Sequence, residues 1–255
     1  MAQRNLGASY DALARVDDID LPAIFAAGDD ASWPETAAAL DRLMERRSDT
    51  PFGGALNLGD RRALFALVRH LKPSAMLEIG THLGSSMLYA AAALMANARE
   101  GAPGRLVTVD ITDVNAPDGA WARAGALRSP RQMAEAIGAG EIVRFVAADS
   151  LAFLGGCEDR FDFCFLDGSH SAKWVYLEAQ LVQRLLNPGG VVLLHDYFPD
   201  GRPLWAGSQP LPGPWMALKR LQREGAPIRV TPLGALPWPT KAGGNVTSLA
   251  LLSRS

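Results

Sequence analysis

Five short apolar, β-prone runs, Ala75–Ile79, Leu106–Ile111, Ile142–Ala147, Phe161–Leu166 and Gly190–Leu194, alternate along the chain with helical patterns. That alternation predicts βαβ units, which require a parallel sheet with helices on both faces. The runs are hydrophobic almost throughout rather than at every second residue, as strands buried on both faces demand. Helices are expected over Ser85–Asn97, Pro130–Ile137, Ser150–Gly155, Ala172–Leu186 and Pro214–Glu224. Asn187-Pro-Gly-Gly190 carries the turn chemistry that ends the fourth of them. Two later apolar segments, Pro227–Thr231 and Val246–Leu252, read as a strand pair closing one sheet edge.

The expected fold class is therefore α/β, a Rossmann-like doubly wound sheet of about seven strands, mostly parallel with an antiparallel edge strand. Residues 59–255 supply that domain. Residues 1–58 differ: helical signatures such as Trp33–Met44 are broken by Pro and Gly, and they read as an N-terminal helical arm or cap, a natural contact for a homo-oligomer. At 255 residues one compact unit is expected. The net charge of -2 and the scattered Lys and Arg leave no electrostatic footprint for nucleic acid or an anionic membrane, which points to a small-molecule partner. Two cysteines, Cys157 and Cys164, exclude a disulfide framework. Neither a signal-peptide core nor an apolar run of membrane-spanning length is visible, so a cytoplasmic protein is expected.

Each predicted strand ends in a polar residue on the same rim: Glu78, Asp110, Asp149, Asp167 and the pair His195-Asp196. Open α/β sheets bind ligands outside the carboxyl ends of their strands. After the first strand, Gly80 and Gly84 allow a sharp turn and close ligand approach, because neither carries a Cβ. No Lys-Ser or Lys-Thr pair follows, and the G-x-G-x-x-G spacing is absent, so the loop does not read as a phosphate grip.

Glu78-Ile-Gly80-Thr81-His82-Leu-Gly84, continuing into Ser85-Ser86, resembles the first motif of the class I S-adenosylmethionine-dependent methyltransferases. The resemblance extends over roughly residues 60 to 255. It implies S-adenosylmethionine as cofactor, with Glu78, Gly80, Thr81, Gly84, Ser85 and Ser86 in its binding loop. Asp110 then stands where the family acid accepts from both ribose hydroxyls, and Asp149 where an acid meets the adenine amino group. Ser150 is expected to cap the helix that follows, and Asp167 to border the cofactor.

A second cluster, Phe161-Asp-Phe-Cys-Phe-Leu-Asp167-Gly-Ser-His170 with Leu194-His195-Asp196-Tyr197, places Asp167 and Asp196 on neighbouring strand ends. Two carboxylates meeting in a cleft repel unless a proton or cation lies between them. Hard oxygen donors suit Mg²⁺, and His195 as a softer third ligand admits Mn²⁺. The cluster is similar to that of the metal-dependent small-molecule O-methyltransferases, the macrocin O-methyltransferase group included. That likeness implies Asp167, His195 and Asp196 as metal ligands and His170, three residues after Asp167, as general base. It departs from the group at His195, where an acid is more usual. The competing readings are an NAD-dependent oxidoreductase, opposed by the missing third glycine, and a cofactor-binding regulatory protein without turnover.

Overall fold

The computed structural model describes residues 10–28, 33–47, 56–241 and 243–255. Five strands, β1 (Ala75–Ile79), β2 (Arg105–Asp110), β3 (Val143–Ala147), β4 (Phe161–Leu166) and β5 (Leu186–Leu194), run parallel. β6 (Ile228–Pro232) and β7 (Ala250–Arg254) complete a seven-stranded sheet of order β3-β2-β1-β4-β5-β7-β6, with β7 antiparallel to both neighbours. The chain reverses its direction across the sheet between β1 and β4, which opens a crevice there.

Register explains why the polar residues share a rim. Ile79 is paired with Val109 on one side and Leu166 on the other, and Leu166 with Leu194. Ile79, Val109, Leu166 and Leu194 thus share one row, and the next residues, Gly80, Asp110, Asp167 and His195, stand side by side above it. β1 is buried along its whole length, Glu78 included, as a strand covered on both faces requires.

Helices cover both faces. α3 (Leu58–Leu71) and α4 (Ser85–Arg99) pack with Met76, Phe163, Phe165 and Leu193 on one side. α7 (Ser150–Gly156), α8 (Ala172–Gln183) and α9 (Pro212–Arg223) pack with Leu77, Cys164, Val192 and Leu252 on the other. The alanine content of α4 lets it lie almost wholly inside, with Leu88, Tyr89, Ala90 and Ala91 fully buried. α1 (Leu21–Ala27) and α2 (Trp33–Leu43) add Ile24, Phe25, Trp33, Ala37 and Leu40 to the first of these cores. Asp41 of α2 accepts hydrogen bonds from Arg61 at 2.9 Å and the Tyr89 hydroxyl at 3.0 Å. Residues 1–9, 29–32 and 48–55 of the expected N-terminal arm lie outside the described residues.

Asn187–Gly190 falls within β5 as an irregularity: pairing with β4 jumps from Phe161↔Leu186 to Phe163↔Val191, and Gly189 has φ +81°. The preceding helix stops earlier than expected, at Gln183. Neighbouring segments hold the irregular stretch from both sides. Asn187 donates to Asp162 Oδ1 at 2.7 Å, and Gly190 exchanges backbone bonds of 2.9 Å with Ala12 and Ala14. The last strand also falls later than expected, at Ala250–Arg254. Among the described residues no helix is long and apolar enough to cross a membrane.

Gly80 is where the fold has least latitude. Its φ is +97°, and a Cβ there would sit 2.2 Å from the carbonyl oxygen of Asp167. Gly80→Ala is expected to cost about 2 kcal/mol or more in urea unfolding. An unchanged midpoint would mean that the loop takes a different path.

Candidate active site

Above the row of strand ends lies a cavity of about 630 Å³. Gly80, Thr81, His82, Ser85 and Ser86 form one wall, Asp110, Ile111, Ala148, Asp149 and Ser150 a second, and Asp167, His170, His195 and Asp196 a third. Its size suits a small-molecule ligand together with a cofactor. Ile79, Val109 and Ala148 give it an apolar floor, and Ile111, 75 % exposed, an apolar rim.

The glycine loop is organised from behind. Glu78 is fully buried and does not line the cavity. The Thr108 hydroxyl donates to Glu78 Oε2 and lies 2.5 Å from the Thr81 hydroxyl, so the acid ties loop to sheet rather than meeting a ligand. Gly84 also stands outside the cavity lining; at φ +79° it is the N-cap of α4, without a side-chain cap, so the first-turn N–H groups of that helix begin at Ser85 and Ser86 in the cavity wall. The Ser85 hydroxyl accepts from the Leu56 N–H at 3.3 Å.

Asp110 is pre-aimed. Its Oδ2 accepts from the His82 N–H at 2.9 Å, and its Oδ1 from the Thr112 N–H at 3.0 Å and the Thr112 hydroxyl at 3.1 Å. Asp149, not Ser150, caps α7, its Oδ1 accepting from the Ala152 N–H at 3.0 Å. Ser150 donates 2.5 Å to Glu178 Oε1 instead. The expected cap, Ser150, is thus displaced by its neighbour, because either type is a good N-cap. Glu178, 2 % exposed, is held above the usual carboxylate range, mainly by burial.

The third wall concentrates charge. His195 Nδ1 stands 3.2 Å from Asp167 Oδ1 and 3.4 Å from Asp196 Oδ1, and its Nε2 lies 3.3 Å from Oδ2 of buried Asp60 on α3. Burial alone would lower the His195 pKa, but the three carboxylates outweigh it and hold the ring well above its usual value. Burial pushes Asp196 the other way, yet His195, His170 and Lys241 keep it below the usual carboxylate range. Asp196 has φ +54°, a conformation that Asp tolerates better than most residues and that turns its carboxylate back over the rim. His170 is half exposed, with Nδ1 3.5 Å from Asp196 Oδ2. It does not cap α8; Ser171 does, accepting from the Trp174 N–H at 3.3 Å. Behind it, Gly213 packs so closely that a Cβ would fall 1.9 Å from the His170 carbonyl oxygen. Among the described residues, Asp167, His170 and Asp196 bring ligand atoms within 4.8 Å of one another.

Asp60, Glu178, Trp174 and Lys241 were not anticipated. Asn57-Leu-Gly-Asp60 is legible as a helix start, with Asn57 Oδ1 accepting from the Asp60 N–H at 3.0 Å, but not as the partner of a histidine 135 residues away. Trp238 is core, stacked edge-on to Phe25 and donating to the Gly59 carbonyl at 2.9 Å. Trp205 lies nearer the site, with Lys241 Nζ 5.4 Å from its ring.

Residues 77–197 match the methyltransferase domain family. The chain is 30% identical over 152 residues to the probable O-methyltransferase Rv1703c of Mycobacterium tuberculosis, a match covering 58% of this chain and 60% of that protein. Its fold is similar to that of the O-methyltransferase TomG from Streptomyces achromogenes, involved in tomaymycin synthesis and solved in complex with SAM (TM-score 0.57, 19% identity, 89% of this chain and 91% of that one). It is also similar to the O-methyltransferase from Bacillus cereus in complex with SAH (TM-score 0.54, 18% identity, 94% and 95%).

Burial is the largest influence on Glu78 and pushes its pKa up to about 7, against hydrogen bonds from Ser86 and Thr108 that favour the anion. The folded protein therefore holds this proton after the unfolded chain has released it near 4.5, and loses stability as pH rises through 7. Glu78→Gln is expected to gain on the parent by on the order of 2 kcal/mol in urea unfolding between pH 5 and pH 8. Parallel stability curves would contradict this.

Proposed function

We propose that this chain, whose residues 77–197 match the methyltransferase domain family, is a class I S-adenosylmethionine-dependent methyltransferase that transfers a methyl group from S-adenosylmethionine to a hydroxyl oxygen of a small molecule. A divalent cation held by Asp167, Asp196 and His195 assists. The observation that carries this reading is the single cavity wall-to-wall with the glycine loop, pre-aimed Asp110 and the Asp167, His170, Asp196 cluster.

The residues fit the cofactor. Gly80 lines the cavity while its Cβ-free face lets the Asp167–Gly168 backbone close against the loop, and Asp110 faces the cavity as a ribose acceptor. Ser85 and Ser86, at the positive end of α4, suit a carboxylate. Apolar Ile111 and Ala148 suit the faces of a purine, and Asp149 has a second oxygen left for its amino group. When bound, the cofactor supplies an electrophilic methyl carbon on a sulfonium. The acceptor oxygen would take that methyl as the carbon–sulfur bond breaks toward sulfur, and His170 would receive the hydroxyl proton, giving the methyl ether and S-adenosylhomocysteine.

His170 is placed for that proton transfer. It is half exposed to the cavity and oriented by Asp196, the arrangement of a general base with its positioning acid. The residues also fit a cation. Two oxygen donors converge on a buried ring nitrogen, and their field calls for a positive charge that the His195 proton supplies until a metal takes its place. Bound there, a divalent ion lowers the pKa of a coordinated hydroxyl. The tomaymycin-pathway neighbour supports an acceptor of natural-product or sugar type.

Asp110→Ala is expected to weaken S-adenosylhomocysteine about 10- to 100-fold in calorimetry, the worth of charge-assisted hydrogen bonds. His170→Gln is expected to leave that affinity alone while lowering kcat about 10²- to 10⁴-fold, once a screen of hydroxylated small molecules yields an acceptor. Full activity in His170→Gln would remove the base from the proposal.

A further inference from the structure

His195 is more than nine-tenths buried, and its two ring nitrogens have different surroundings. Nε2 faces Asp60 Oδ2 at 3.3 Å. Nδ1 is 3.2 Å from Asp167 Oδ1 and 3.4 Å from Asp196 Oδ1, yet makes an aligned hydrogen bond to neither. Cis ligands bonded at 2.0–2.2 Å to one cation lie roughly 3 Å apart, so each of these two spacings suits a nitrogen and an oxygen sharing an ion, beside the Asp167, His170 and Asp196 atoms that lie within 4.8 Å of one another. An orphaned buried nitrogen between two carboxylate oxygens has the environment of a ligand.

Asp60 accounts for which nitrogen faces inward. It is 1 % exposed and does not line the cavity, so it touches no ligand directly. It sits in the first turn of α3, where the helix dipole favours an anion, and the Asn57 amide donates to the same Oδ2. The loop from β6 to β7 holds that turn in place. A Cβ on Gly59 would fall 2.4 Å from the Pro239 carbonyl oxygen, and Trp238 donates to the Gly59 carbonyl. A carboxylate fixed this way takes the Nε2 proton and leaves the Nδ1 lone pair toward Asp167 and Asp196, the usual second partner of a metal-binding histidine.

We propose that Asp60 is a positioning residue that fixes His195 Nδ1 as a nitrogen ligand, so that the site prefers Mn²⁺ or a similar nitrogen-accepting cation to Mg²⁺. This rests on the metal-assisted reading above. Magnesium is best served by oxygen donors in octahedral array, whereas imidazole joins readily to later first-row ions. His170, the other imidazole near the two acids, stays free for proton transfer.

The test is electron paramagnetic resonance of Mn²⁺ on the metal-stripped full chain, with spin-echo detection of coordinated nitrogen and Mg²⁺ competition. The parent protein is expected to bind Mn²⁺ about 10-fold or more tightly than Mg²⁺ and to show a nitrogen coupling. The coupling should vanish in His195→Gln and persist in His170→Gln; the reverse pattern overturns the ligand assignment. Asp60→Asn should weaken Mn²⁺ about 10- to 100-fold while S-adenosylhomocysteine affinity and melting temperature stay near the parent's. Undiminished Mn²⁺ affinity in that variant overturns the role of Asp60. Should Asp60→Asn fail to fold, His195→Asp carries the test: its all-oxygen set should move the preference to Mg²⁺, and an unmoved preference overturns the proposal. If the parent binds neither ion while still binding S-adenosylhomocysteine, the metal-assisted reading itself falls.

Discussion

Everything at the site hangs on the pairing of Ile79 with Val109 and Leu166, and of Leu166 with Leu194. Because those four residues share one row, the residues after them must share a rim, whatever their chemistry. One of the four is a glycine with φ +97°, two are acids and one is a histidine. The sheet thus sets a close-approach loop, a fixed acceptor and a charged cluster beside one crevice. A slip of one residue in β4 would point Asp167 at the opposite face.

The negative charge gathered there has to be balanced. Asp60, Asp167 and Asp196 surround one buried imidazole, whose Nε2 is partnered by Asp60 while Nδ1 faces two carboxylate oxygens without an aligned hydrogen bond. Asp60 reaches the cluster only because α3 packs against the sheet at that end. That packing in turn uses the helices at residues 21–43, whose Phe25 meets Trp238 and whose Asp41 meets Arg61 and Tyr89. Contacts within the core on α3's own face of the sheet thereby help set the position of a side chain at the rim.

The legible parts of this molecule were those with local causes. Ala75–Ile79 and Phe161–Leu166 coincide with β1 and β4, since a mainly apolar run between turn residues has few alternatives. The rim acids followed from the ends of such runs. β5 was longer than expected because residues 12–14 pair with Gly190, a contact that local turn chemistry does not record. Asp149 caps α7 in place of Ser150 because both are good caps and only the packing of α8 gives Ser150 a partner in Glu178. Glu78 has the right spacing for a ligand contact, but strand alternation turns it inward to Thr108. Asp60, Glu178 and Lys241 reach the site from distant helices and loops, and no spacing rule connects them to it.

The central claim is that the cavity above β1, β2, β4 and β5 is an S-adenosylmethionine site. Calorimetric titration of the parent protein with S-adenosylhomocysteine, with NAD⁺ as the comparison ligand, tests it most directly. One saturable site of micromolar affinity for S-adenosylhomocysteine, with no heat from NAD⁺, is the predicted result. Binding of NAD⁺ alone, or of neither ligand, would contradict the account at its base.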